Sequence, residues 1–149
     1  HWQAVNAMTG QLFNFRDGLP EGLVYHTEPA CRALVTARQL DSAKVWALLE
    51  LIQQAFYCDG RDVTQAPLLR ELASAAGLPR QAFAEAFDSA AMQAATQKDF
   101  AWVQDLGIAG FPTLLAEHKG QKALLTNGYQ PLSQLQPLLA RWLERASHA

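Results

Sequence analysis

Two cysteines and one glycine–proline loop are the residues of this chain whose types and spacing could do chemistry. Cys31 stands near the start of a helical stretch, where the helix dipole favours a thiolate. It also shares an apolar stripe with Leu34 and Val35, and a free cysteine in that setting serves as a small hydrophobe. Cys58 falls at the far end of another helix, where the dipole disfavours a thiolate. The two lie 27 positions apart and neither belongs to a C-x-x-C. A Cys31–Cys58 disulfide stays open: it requires the two helices to form a hairpin that brings the Cα atoms into bridging range. The loop Gly107-Ile108-Ala109-Gly110-Phe111-Pro112-Thr113 lies directly after a long helical pattern and before a short apolar run. Two glycines within four residues allow a sharp turn and a close backbone approach. Pro112 can open a strand without losing a ladder N–H. On local grounds it reads as an ordinary trans proline, since only about 5–6% of X–Pro bonds in folded proteins are cis.

Other chemistries find no support. His1, His26, His118 and His148 form neither an H-x-x-x-H nor a Cys/His cluster, so they read as surface residues and no metal site is expected. No G-x-S-x-G, P-loop or dinucleotide fingerprint is present, which leaves hydrolase, NTPase and Rossmann readings without residues. The aromatics Phe83, Phe87, Phe100, Trp102 and Trp142 read as core.

The elements that must position the loop follow from composition and periodicity. Half of the 149 residues are apolar and 17% are charged, a balance that builds a globular core. Net charge is −2 without a basic run, which argues against nucleic acid as a partner. No apolar stretch reaches the ~18–20 residues of a membrane span. Trp2, Val5 and Met8 repeat at helical spacing, and Gly10 is a good stop. Asp17-Gly18 and Leu19-Pro20 mark turns, and Leu23-Val24-Tyr25 reads as briefly extended. Thr27 reads as an N-cap for a helix whose stripe is Cys31, Leu34, Val35 and Arg38. A second helix from Asp41 or Ser42 carries Val45, Leu48, Leu49, Ile52 and Phe56, and closes at Cys58-Asp59-Gly60. Thr64 reads as the cap of a third, with Pro67 in its first turn and Leu68, Leu69, Leu72 and Ala76 inward; Gly77 ends it. Pro79 opens a short helix with Phe83 and Phe87. Asp88-Ser89 caps a longer one carrying Met92, Ala95, Val103 and Leu106, which Gly107 stops. The period then changes. Phe111–Ala116 reads as a strand that begins at the proline, His118-Lys119-Gly120 as a turn, and Ala123–Thr126 as the return strand of a hairpin. Pro131 opens a last helix with Leu132, Leu135, Leu139, Trp142 and Leu143 on its buried face.

A G-[IV]-x-G-x-P-T loop between a helix and a β-hairpin, followed by a terminal helix, resembles the cis-proline loop of thioredoxin-fold thiol–disulfide oxidoreductases. Thr27-Glu28-Pro29-Ala30-Cys31-Arg32-Ala33, opening an all-helical stretch ahead of that loop, narrows the resemblance to the DsbA-like branch, and within it to FrnE-like protein disulfide isomerases. The fold class it implies is α+β and mostly helical: the closing half of a thioredoxin-like fold, with residues 11–106 as a DsbA-type helical insertion. Residues 1–10 would end a preceding helix, and 107–149 would hold the loop, hairpin and helix. The resemblance implies that Pro112 is cis and stands beside a redox pair. It also implies that the backbone of Phe111 pairs with an extended substrate, with Gly110 and Thr113 completing the substrate-binding loop.

The family's C-x-x-C is missing from these residues, so no catalytic residue is assigned. The redox cysteines are expected upstream of His1, which reads as falling inside a longer chain. No cofactor is expected, except glutathione if the chain instead resembles kappa-type glutathione transferases or 2-hydroxychromene-2-carboxylate isomerases. A non-catalytic binding module is the third reading. The expected partners are protein or peptide thiols and disulfides. The apolar edge Thr113–Ala116 is expected either to pair with a second copy or to be completed by residues outside these 149. The cytoplasm is slightly favoured over the periplasm.

Overall fold

A computed structural model describes residues 1–148. Its elements in chain order are helices α1 (Trp2–Thr9) and α2 (Glu28–Leu40), a 3-10 turn at Ser42–Lys44, α3 (Val45–Gln53) running into a π-helical turn at Gln54–Cys58, then α4 (Ala66–Ala75), α5 (Arg80–Phe87) and α6 (Ala90–Asp105). Strands β1 (Thr113–His118) and β2 (Gln121–Asn127) and helix α7 (Leu132–His148) follow. The chain forms two compact units, His1–Asp99 and the residues from Phe100 onward.

The first unit is built on amphipathic helices. Leu48 and Ile52 of α3, Leu68, Leu69 and Leu72 of α4, and Phe83 and Phe87 of α5 form one buried cluster with Ala33 and Ala37 of α2. Phe83 and Phe87 are 1% exposed and stack with ring centroids 5.7 Å apart. Burying such a side chain contributes roughly 1.5–3 kcal/mol each. Arg32 ties α2 to α5: its guanidinium lies 4.3 Å over the Phe87 ring and donates to the Phe87 carbonyl at 3.2 Å. The π turn places Phe56 and Tyr57 against Trp2, which in turn meets Phe13. The Tyr57 carbonyl accepts from the Asn14 N–H at 2.8 Å, which anchors the segment after α1.

Several sequence expectations are corrected here. Thr27 has helical backbone angles (φ −84°, ψ −18°) and makes no side-chain cap, because a cap needs an extended residue to aim its oxygen at the first turn. Thr64 is not the cap of α4 either. Its hydroxyl donates to Asp62 Oδ1 at 2.6 Å, and the cap position falls on Gln65 without a side-chain bond. Ser89 does cap, accepting from the Met92 N–H at 3.2 Å. Leu23–Tyr25 forms no strand, and Val24 is 81% exposed. On α2, Val35 is buried and Leu34 packs against the core as expected, together with Ala33, Thr36 and Ala37, while Arg38 points out to Asp99 at 2.9 Å. On α6 only Thr96 is fully buried, and Leu106 is exposed.

In the second unit, β1 and β2 pair antiparallel from Thr113↔Asn127 to His118↔Gln121. Lys119 and Gly120 take left-handed angles (φ 49° and 79°), the two-residue turn whose twist matches a hairpin. A bulge after Leu114 shifts the register, so that Leu115 meets Leu124 rather than Leu125. The first strand begins at Thr113, not at Pro112. Helix α7 packs on β2, with Ala146 buried. The expected buried face of α7 is not closed: Leu132, Leu139 and Leu143 are exposed. Periodicity identifies the apolar face of a helix, but not whether anything covers it.

Candidate functional site

The glycine–proline loop is fixed at both ends by backbone bonds. Helix α6 ends in a Schellman arrangement. Gly107, at φ 71°, donates its N–H to Gln104 O at 2.8 Å, and the Ile108 N–H reaches Val103 O at 3.3 Å. At the other end the Thr113 hydroxyl donates to the Gly110 carbonyl at 2.7 Å, and the Gly128 N–H donates to the Pro112 carbonyl at 2.8 Å. Gly110 sits where a Cβ would come within 3.3 Å of Asn127 Oδ1, so its lack of a side chain serves close approach. The Phe111–Pro112 peptide bond is cis.

Between these anchors Phe111 projects, 76% exposed. Among the described residues neither its N–H nor its carbonyl has a hydrogen-bond partner. An exposed residue whose backbone donor and acceptor are both unpaired is an edge that an extended peptide can extend. A recess of about 310 Å³ adjoins the loop, lined by Gly110, Thr113 and Asn127 and continuing past Leu115 to Lys122 and Leu124.

All four residues expected to bind substrate, Gly110, Phe111, Pro112 and Thr113, thus lie on one short span. The loop also depends on Asn127 and Gly128, at the far end of the hairpin. Their signal was the Asn-Gly pair after the return strand, but its link to Pro112 crosses sixteen positions.

The cysteines take no part in this loop. Both are free and half-buried. Burial, and then the nearby carboxylates of Glu28 and Asp99, push the Cys31 thiol above its ordinary value. At neutral pH it is therefore a protonated, weak nucleophile, despite its place near the start of α2. The Cys58 thiol donates to the Leu12 carbonyl at 3.3 Å. His118, read as a surface residue, is half-buried, edge-on to Trp142 with ring centroids 6.4 Å apart. No group of three or more metal-ligating side chains exists among the described residues. Among those residues no helix is long and apolar enough to cross a membrane.

Comparison with known proteins places this geometry. Residues 11–140 match the family described as a DSBA-like thioredoxin domain. Among solved structures, a candidate protein disulfide isomerase from Nitrosomonas europaea is 40% identical with a TM-score of 0.93; the match covers 97% of this chain and 71% of that one. The cytosolic disulfide reductase DsbM from Pseudomonas aeruginosa is 32% identical with a TM-score of 0.78, covering 99% of this chain and 74% of that one. The same reductase solved with GSH matches at 31% identity and a TM-score of 0.76, with coverages of 95% and 73%. No curated protein sequence matches. The chain belongs to the DSBA-like thioredoxin-domain family, the DsbA-like thiol–disulfide oxidoreductases.

Proposed function

We propose that these residues form the substrate-binding part of a thiol–disulfide oxidoreductase or isomerase, and that the reacting cysteine pair is supplied from outside them. The observation that carries this reading is the unpaired backbone of Phe111, an exposed residue beside Pro112. In thiol–disulfide exchange one thiolate attacks a substrate disulfide, a mixed disulfide forms, and a second thiol releases it. Neither Cys31 nor Cys58 suits that role, being far from C-x-x-C spacing and, for Cys31, held protonated. A paired edge at Phe111 would hold the substrate chain extended while exchange proceeds. The resemblance to the disulfide isomerase and reductase supports this assignment, and the cytosolic description of the latter favours the same compartment here.

The test is hydrogen exchange at the Phe111 amide with an extended cysteine-containing peptide. The reading expects exchange to slow on binding, and to stay fast with a peptide N-methylated at the pairing residue. Binding that leaves Phe111 exchange unchanged would refute it. A glutathione-dependent reaction is the second reading, supported by the relative solved with GSH. Retention on immobilised glutathione, together with no peptide effect at Phe111, would favour it. We also propose that the unpaired edge of β1 joins a second copy, since β1 has only β2 as a neighbour among the described residues. A strictly monomeric mass by sedimentation across micromolar concentrations would exclude that pairing.

A further inference from the structure

We infer that Lys122 makes the site prefer substrate segments that carry a carboxylate close to the paired residue; this rests on the reading of Phe111 as a peptide-pairing edge. The recess beside the loop is lined by Gly110 and Thr113, which flank the Phe111–Pro112 pair, and by hairpin residues as far as Lys122. At about 310 Å³ it lies at the lower limit of small-ligand sites, roughly 300–1,000 Å³. It therefore suits side chains of an extended segment rather than a folded element. Its other walls are apolar (Leu106, Ile108, Leu115, Leu124) or neutral (Asn127), so Lys122 is the one charged residue lining it.

The ammonium of Lys122 is placed but not consumed. It lies 5.5 Å over the Trp102 ring, an attraction that holds a cation over an aromatic face. Its salt-bridge partner is Glu117, across the hairpin at 3.7 Å, with both side chains about half exposed. Exposed pairs of this kind contribute only about 0–1 kcal/mol, so an incoming carboxylate can replace Glu117. Lys122 stands five positions along β2 from Asn127, roughly 17 Å of strand, part of which the lysine stem covers. The matching acidic residue would then lie about two to four positions from the residue paired to Phe111.

Fluorescein-labelled cysteine peptides with Glu at positions two, three or four from the cysteine, and their Gln counterparts, test this by fluorescence polarisation. The expected result is that one Glu peptide binds the chain at least about fivefold tighter than its Gln twin at low salt, with the gap narrowing as salt screens it. Lys122→Met should bring the two peptides level, Lys122→Glu should invert the order, and Lys122→Arg should keep it. Glu117→Gln should widen the gap by freeing Lys122. Equal binding of Glu and Gln peptides to the unaltered chain, or a preference that survives Lys122→Met, overturns the role of Lys122 while leaving the edge intact. Failure of every peptide to bind overturns the edge reading itself, and this inference with it.

Discussion

Gly128 and Pro112 are joined through the backbone: the Gly128 N–H donates to the Pro112 carbonyl at 2.8 Å. The segment that leaves β2 thereby holds the segment that enters β1. Gly128 does this at φ 102°, a conformation that side chains rarely tolerate. Gly128→Ala should thus cost about 1–3 kcal/mol and loosen the loop. The measurements are a lowered melting temperature and faster exchange of the Gly110–Thr113 amides. An unchanged melt would show that the bond does not hold the loop.

Gly110 provides a graded companion to that test. A Cβ there meets Asn127 Oδ1 at 3.3 Å, the end of a side chain that can turn aside. Gly110→Ala should therefore sit at or below the lower end of the ~1–3 kcal/mol typical of overpacking. The double variant Gly110→Ala with Asn127→Ala should recover most of the loss. A double-mutant cycle in chemical denaturation checks it, and strictly additive effects would mean that the two residues do not touch.

How far these relations could be read beforehand differs from element to element. The inward row of α4, Leu68, Leu69, Leu72 and Ala76, was legible because one apolar face meets one core. The exposed Leu132, Leu139 and Leu143 of α7 were misread by the same rule, since periodicity reports a face and not its cover. Thr27 fails as a cap because residue type does not settle backbone angles, and Thr64 because its hydroxyl binds Asp62 and the helix starts one residue later. The loop glycines and Pro112 stood out by spacing, whereas the cis bond followed only from the family resemblance. The Gly128–Pro112 bond joins positions that no local pattern connects, so it was out of reach.

The hairpin turn offers a gain rather than a loss. Lys119 holds φ 49°, where asparagine is better tolerated than a long side chain, and Asn-Gly is the preferred pair for this turn. Lys119→Asn should stabilise the chain by a few tenths to about 1 kcal/mol. Thermal melts of the two proteins decide it, and a lower melting temperature would contradict the turn assignment.

The helical unit rests on its stacked phenylalanines. Phe83 is 1% exposed and lies against Phe87. Phe83→Ala should remove about 3–5 kcal/mol, a large share of the ~5–15 kcal/mol that holds most domains together. Urea unfolding followed by tryptophan fluorescence should show an earlier midpoint. A shift below about 1 kcal/mol would mean that the cluster repacks around the gap.

Cys31 makes a prediction about pH. Its thiol is raised above the ordinary 9.0 by burial, and then by Glu28 and Asp99, so the folded state holds the thiol proton more firmly than the unfolded chain does. By linkage this contribution to stability is complete below about pH 9 and is lost as pH climbs through the raised value. Tyr25 is raised above 10.0, also chiefly by burial, and adds to the loss at the upper end of the same range. Stability of the unaltered chain should therefore fall more steeply as pH rises above 9 than that of Cys31→Ala, and Tyr25→Phe should separate the part of the fall above pH 10. Alkylation of Cys31 by iodoacetamide at pH 7 should run slower than that of a free cysteine and accelerate only above pH 9. Rapid labelling at neutral pH would show a thiolate at Cys31 and would reopen it as a nucleophile.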